Sequence, residues 1–293
     1  MIHTIDLGFL DISQTIAAYV LEHPEGPVLI ETGPYSTYPA LEKGLRQVGV
    51  APEDLRAVLL THIHLDHAGS AWAFAQKGVP VYVHPLGERH LAQPEKLLAS
   101  AKRIYQEMMD QLWGTMESIA TEQLRTVEDG AEVLPGIRAI HSPGHAVHHI
   151  AWQWEDVIFT GDVAGVRIGN GIVVPPCPPP DIHVEDWQRS IQALRDANPK
   201  SLYLTHYGNI TDVETHLNAL EKRLLDWANW MKPRFEAGDS TAEIAPDFEQ
   251  YVRKELVDHG LDQEGLRQYD AANPPWMSVA GLLRYWKKKS ERS

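Results

Sequence analysis

Within six residues, His62-Ile63-His64-Leu65-Asp66-His67, the chain places four side chains that can ligate a metal ion. Imidazole nitrogen and carboxylate oxygen are donors that suit zinc, iron or manganese. In a tight loop His62 and His64 can point to one side and Asp66 and His67 to the other, so one loop can serve two ions. Four ligands cannot complete two sites, and the rest of the chain must supply more. It offers His145 in Ser142-Pro143-Gly144-His145, Asp162 in Phe159-Thr160-Gly161-Asp162, and His206 in Leu202-Tyr203-Leu204-Thr205-His206. Each lies at the end of a stretch that reads as a strand. Any one of them alone is a weak signal; in this order the set is strong.

The elements that must hold these residues can be read from periodicity. Residues 15–21, 28–30, 57–60 and 79–83 are short apolar, β-rich runs, and the third leads straight into Thr61-His62. Residues 38–48 carry helical spacing, with Gly49 as the stop, and residues 71–76 read as helix. Strands are expected across residues 131–159, with Pro135-Gly136 as a turn. A helix over residues 186–197 and a strand over 201–205 follow. Between them the rhythm breaks. Leu97, Ala101, Ile104, Met108, Leu112 and Met116 recur at three or four, which predicts a long helical insertion over about residues 86–125. From Val213 onward the chain reads as helical. Leu217, Leu220, Leu224, Trp227 and Met231 form one apolar stripe, Ser240-Thr241-Ala242-Glu243 resembles a capping box, and residues 277–289 form a last amphipathic helix.

Composition excludes some classes. The 293 residues are 43% hydrophobic and 23% charged, enough for one large domain or one domain with an appendage. With 26 Lys and Arg against 40 Asp and Glu, the net charge is −14, which repels phosphate backbones. No nucleic-acid partner is expected. The run Lys287-Lys288-Lys289 reads as a solvated helix end. Cys177 is the single cysteine, which fits a reducing compartment. The first residues do not read as a signal peptide, and no stretch nears the roughly 20 apolar residues of a spanning helix. A cytoplasmic protein with no membrane partner is the expectation.

The order HxHxDH, then GH, GD and TH resembles the metallo-β-lactamase superfamily, with glyoxalase II as the nearest general likeness; it covers about residues 1–210. The resemblance implies an α+β fold, an αββα sandwich of two facing sheets with helices outside, here with a helical insertion and a C-terminal helical extension. It implies a catalytic domain over residues 1–212 and an extension over 213–293. Carried over by residue, it implies that His62, His64 and His145 hold one ion. Asp66, His67 and His206 would hold a second, with Asp162 bridging both. Two divalent ions per chain follow, zinc first, with iron or manganese as options. Two cations about 3.5–4 Å apart can share a water and lower its pKa toward neutral. The expected activity is that of a dinuclear metal-dependent hydrolase, with metal-bound hydroxide attacking a thioester, a lactone or a related ester of small-molecule size. Asp66 would also steer a proton.

The sequence departs from the family pattern in two places. The usual strand-ending Asp-Thr-Gly is Glu31-Thr32-Gly33 here, and the Glu31 carboxylate can still orient a ligand histidine. In His145-Ala146-Val147-His148-His149, His149 matches the family's second histidine. His148 is extra, either a substrate contact or an exposed strand residue. Tyr207 is a weaker candidate for holding a substrate oxygen. Met108, Met109, Trp113 and Met116 either line an apolar pocket or pack internally, and the same alternative holds for Trp227, Trp230, Trp276 and Trp286. The Pro175–Pro180 run should border the site, with Cys177 in it an unlikely nucleophile. The insertion and tail either cap the site or form a homodimer interface. No glutathione-binding basic motif is visible in the tail. The competing activities are a mononuclear iron persulfide dioxygenase, a small-molecule phosphodiesterase, and a non-catalytic binding module on the same fold.

Overall fold

The computed structural model describes residues 1–291 and shows an α+β chain with two mixed sheets. In chain order the elements of the first part are β1 (Ile2–Asp6), β2 (Ala17–Leu21), β3 (Val28–Ile30), α1 (Tyr38–Gln47), β4 (Ala57–Leu59), α2 (Leu65–Ala68), α3 (Ala71–Ala75) and β5 (Val81–Val83). The insertion carries α4 (Pro85–Ala92), α5 (Glu95–Tyr105) and α6 (Met109–Leu112). There follow β6 (Leu124–Thr126), β7 (Glu132–Leu134), β8 (Ile137–His141), β9 (Ile150–Trp154), β10 (Val157–Gly161), α7 (Val184–Asp196), β11 (Ser201–Leu204) and β12 (Gly208–Ile210). The tail is α8 (Val213–Ala237), α9 (Thr241–Asp258), α10 (Gln263–Ala272) and α11 (Pro275–Ser290).

Two compact units partition the chain: residues 1–141 with Ile150–Glu155, and Ser142–His149 with everything from Asp156 onward. In the first unit β1 to β6 form one sheet in chain order. Pairing is antiparallel from β1 to β3 and parallel from β3 to β6. The central strands are buried on both faces, which is why β2, β3 and β4 are continuous apolar runs rather than alternating ones. The same unit holds the antiparallel ladder β7-β8-β9 of the second sheet. In the second unit β10 pairs parallel with β11, and β11 antiparallel with β12.

The helical insertion expected over about residues 86–125 is divided into three helices, α4, α5 and α6. The apolar repeat is real, but Pro94 precedes α5 and has no N–H to continue a helix from α4. Gln106, at φ +48, ends α5, and past Leu112 the backbone leaves the helix. The segment ends in strand β6, which joins the first sheet beside β5.

The tail follows its sequence pattern closely. Leu217, Leu220, Leu224, Trp227 and Met231 are all buried along α8. Ser240 caps α9 with both halves of the capping box formed, its hydroxyl accepting from the Glu243 N–H and its own N–H donating to the Glu243 carboxylate. Trp227 and Trp230 pack around Phe248, and the Trp286 indole donates to the Ala228 carbonyl. These three tryptophans belong to the helical core of the tail, whereas Trp276 is exposed.

Candidate metal centre

The residues of the first unit converge behind β4. Thr61 and His62 leave the strand, His64 is the N-cap residue of α2, and Asp66 and His67 occupy its single turn. A turn of helix, rather than an irregular loop, therefore spaces Asp66 and His67. His62 Nε2 lies 2.9 Å from His64 Nδ1, and Asp66 Oδ2 lies 3.5 Å from His67 Nε2. The ligand atoms of His62 and His67 are also within 4.8 Å of each other. His62 and His67 are buried, while the Asp66 side chain keeps 23% of its exposure.

Glu31 explains how this loop is held. It is fully buried at the end of β3 with a left-handed φ of +65, which is costly for a residue with a long side chain. The conformation turns its carboxylate inward, where one oxygen accepts the Thr61 N–H at 2.7 Å and the other accepts from His67 Nδ1. With its Nδ1 proton committed, His67 presents the Nε2 lone pair, the form that ligates a cation. The next residue adds a second hold, because the Thr32 N–H and hydroxyl both donate to the His67 carbonyl at 2.8 Å. Sequence reasoning passed over Thr32.

The second unit repeats this logic. Asp162, at the end of β10, turns its two oxygens toward different histidines. Oδ2 lies 3.2 Å from His145 Nε2 and Oδ1 lies 3.5 Å from His206 Nε2. All three residues are buried. His145 Nδ1 donates to the Pro176 carbonyl at 2.8 Å, so it too presents Nε2. Pro176 belongs to the proline run, which here supplies a main-chain acceptor. Gly144 sits at φ +134, and a Cβ there would meet the Trp187 Cα at 2.3 Å, so no larger residue fits the Ser-Pro-Gly-His turn. Trp187 donates its indole N–H to the Val163 carbonyl at 2.7 Å and presents its ring edge-on to His145.

The remaining candidates divide. His149 Nδ1 pairs with the Ser142 hydroxyl at 2.8 Å, and its Nε2 accepts the Asp162 N–H at 3.2 Å. It is thus a support for the Asp162 backbone. His148 is buried, which rules out the exposed-strand alternative. Tyr207 is half-buried, and its N–H donates to the Arg167 carbonyl at 3.2 Å. Cys177 is fully buried, and burial pushes its thiol well above the ordinary range. Of the insertion's methionines, Met116 is buried and Met108 exposed.

The tail secures the loop that follows Asp162. The Tyr269 hydroxyl of α10 accepts the Ile168 N–H at 3.1 Å and donates to the Ile172 carbonyl at 2.6 Å. Arg223 of α8 donates to the Val173 carbonyl at 2.7 Å, and the Ser278 hydroxyl of α11 accepts the Cys177 N–H at 3.2 Å. His216 of α8 donates from Nε2 to the Ala164 carbonyl at 2.8 Å, and burial pushes its pKa down to about 4. Neither Arg167, which donates to Asp212 and approaches His216, nor His216 carried a sequence signal.

Buried imidazole nitrogens and carboxylate oxygens, aimed at one another with their other nitrogens tied to fixed acceptors, are what a divalent cation requires, and the donor set fits one. The Metallo-beta-lactamase superfamily model matches residues 14–206, and the chain belongs to that superfamily. The metallo-beta-lactamase fold-containing protein ST1585 of Sulfurisphaera tokodaii is 26% identical over 234 residues, covering 75% of this chain and 84% of that one. Its crystal structure aligns with a TM-score of 0.62. The metallo-beta-lactamase family protein TTHA1429 of Thermus thermophilus is a likeness of fold alone: 20% identity and a TM-score of 0.71, over 99% of this chain and 93% of that one. An N-acyl homoserine lactonase of a Bacillus species is 28% identical over 154 residues, 45% of this chain and 54% of the lactonase. The chain is thus a metal-dependent hydrolase of this superfamily, matching the lactonase over about half of the lactonase's length.

Proposed function

We propose that the chain is a dinuclear hydrolase of small carbonyl esters, with a lactone as the preferred substrate and a thioester next. His62, His64 and His145 would hold one ion, Asp66, His67 and His206 the other, and Asp162 would serve both. The observation that carries this reading is Asp162, whose two oxygens face two different histidines. A carboxylate that served one ion would need only one such direction. Zinc suits the set best, because all of its other members except Asp66 are imidazoles, whose tautomers can be fixed by neighbours.

When bound, the divalent ions supply Lewis acidity, which makes water a nucleophile near neutral pH and draws electron density from a carbonyl. The chain's own residues do the rest. Glu31 and the Pro176 carbonyl fix the tautomers of His67 and His145. His149 fixes the Asp162 backbone. Asp66, the half-open carboxylate of the set, accepts the proton that the attacking water gives up and returns it to the leaving alkoxide or thiolate.

Likeness to the N-acyl homoserine lactonase supports a lactone. A glutathione thioester is less favoured because conspicuous tail cations are engaged within the protein. Arg223 serves Val173 and Glu255, and Lys289 serves Glu185 and Tyr285. The test is a panel of N-acyl homoserine lactones, an S-acyl glutathione and bis(p-nitrophenyl) phosphate on zinc-loaded protein. Lactone turnover above the other two is expected. Phosphodiester turnover with no lactone turnover would refute the carbonyl reading, and persulfide oxidation by iron-loaded protein would replace it.

A further inference from the structure

One peptide group of the proline run faces two ways. Its carbonyl, that of Pro176, accepts from His145 Nδ1 at 2.8 Å. Its N–H, that of Cys177, donates to the Ser278 hydroxyl of α11 at 3.2 Å. A peptide group is planar, so its carbonyl and N–H cannot turn independently. By holding the N–H, Ser278 therefore also aims the carbonyl at His145. Ser278 and His145 are both buried, which shields the two bonds from solvent.

The same face of α11 sets how the peptide lies. Gly281, three residues past Ser278, packs so closely that a Cβ there would sit 1.9 Å from the Cys177 oxygen. Arg284 and Lys288 donate to the Pro180 carbonyl at 3.1 and 2.7 Å, so the far end of the run is held as well. Spacings of three and four place these residues along one side of the helix. The helix is itself pinned, because the Tyr285 hydroxyl donates to Glu185 of α7 at 2.9 Å and the Trp286 indole to the Ala228 carbonyl of α8 at 2.8 Å. Trp187 of α7 meets the His145 ring edge-on. His145 is thus gripped by α7 directly and by α11 through a single peptide, although α11 lies beyond residues 14–206, which carry the superfamily match.

We propose that Ser278 and Gly281 of α11 are positioning residues for His145: through the Pro176–Cys177 peptide they keep its proton on Nδ1 and its Nε2 free to ligate. The inference rests on the reading of His145 as a metal ligand. The bonds run in series from the Ser278 oxygen to the Cys177 N–H, across the amide to the Pro176 carbonyl, and on to His145 Nδ1. An amide whose N–H is bonded is polarised, and its carbonyl becomes a stronger acceptor. A stronger acceptor on Nδ1–H fixes the tautomer and makes Nε2 a better donor to a cation. The C-terminal extension thereby contributes to ion affinity without supplying a ligand.

The test combines zinc titration of the metal-free full chain against a chromophoric chelator with NMR of the histidine ring N–H protons in the zinc-loaded protein. His145→Ala identifies both the zinc equivalent and the Nδ1–H resonance that belong to His145. Ser278→Ala should weaken that equivalent about three- to tenfold, less than the roughly 10–100-fold typical of a partner that touches the ligand itself. The His145 Nδ1–H resonance should move upfield and exchange faster with water. Ser278→Thr, which keeps the hydroxyl, should restore both readings. Gly281→Ala keeps Ser278 but drives a Cβ into the Cys177 carbonyl, and should weaken the same equivalent; it gives a second measurement should Ser278→Ala fail to fold. A lower melting temperature in Ser278→Ala, with the resonance and the zinc affinity both unchanged, would overturn the inference and leave His145 a ligand. A loss that Ser278→Thr does not restore would overturn it too. Zinc uptake in His145→Ala equal to that of wild type would overturn the ligand reading and the inference together.

Discussion

Glu31→Gln is the most informative single substitution, because the carboxylate accepts from two donors and an amide cannot. Glu31 is fully buried, with one oxygen on the Thr61 N–H at 2.7 Å and the other on His67 Nδ1. Glutamine offers one acceptor oxygen and one NH2. If the oxygen stays on Thr61, the NH2 faces His67 Nδ1, and the ring must move its proton to Nε2, which blocks the nitrogen aimed at the ion. If the oxygen turns to His67, the NH2 meets the Thr61 N–H, and two buried donors oppose each other at a cost of about 1–3 kcal/mol. Either way, loss of an outer partner of this kind typically weakens metal binding by about 10–100-fold, or about 1.4–2.7 kcal/mol. Titration of metal-free protein with zinc against a chromophoric chelator reads this directly. Wild type should take up two equivalents and Glu31→Gln should hold one of them more weakly. Glu31→Asp, which restores a carboxylate on a residue that tolerates positive φ better, should recover part of the loss. Equal zinc affinities in Glu31→Gln and wild type would refute the argument that Glu31 sets the His67 tautomer.

Three further outcomes follow from the same structure. His216 is buried and its pKa is pushed down to about 4, so the native state stays neutral while the unfolded chain protonates near 6.5. Stability should be unaffected above about pH 6.5 and fall by up to about 3 kcal/mol toward pH 4. Urea unfolding across that window should show a shallower decline in His216→Gln, and an unchanged slope would contradict the assignment. Tyr269→Phe removes both hydrogen bonds that tie the loop at Ile168 and Ile172 to α10, and should cost about 1–3 kcal/mol with faster amide exchange in that loop; exchange at the wild-type rate would contradict the latch. Cys177 should resist a thiol reagent in the native protein and titrate as one equivalent in guanidinium, since it is fully buried and its thiol is pushed up; native reactivity would contradict its burial.

What was legible in the sequence was what local chemistry fixes. Four ligands in one run mark a site whatever surrounds them, and His145, Asp162 and His206 could be added because each ends a stretch of apolar residues. The α8 stripe and the Ser240 capping box were readable for the same reason, since both are set within a few residues of chain. The short strands β6 and β12 escaped because three residues acquire strand pairing only from neighbours distant in sequence. The breaks inside the insertion were not legible because the apolar repeat continues through Pro94 and Gln106, where the helical backbone does not. The supports of the site were hardest to see. Thr32, the Pro176 carbonyl, Trp187 and His216 act across separations that no motif spans, and a main-chain carbonyl has no sequence signature at all. Glu31 was visible only as a departure from a family pattern, and its purpose came from its two partners.

The central claim is that one chain holds two divalent ions through both halves of this ligand set. Elemental analysis of protein purified without added metal, beside His67→Ala, tests it most directly. Two zinc, manganese or iron ions per chain, falling toward one in the variant, is the predicted result. A single iron per chain, unchanged in His67→Ala, would contradict the dinuclear centre.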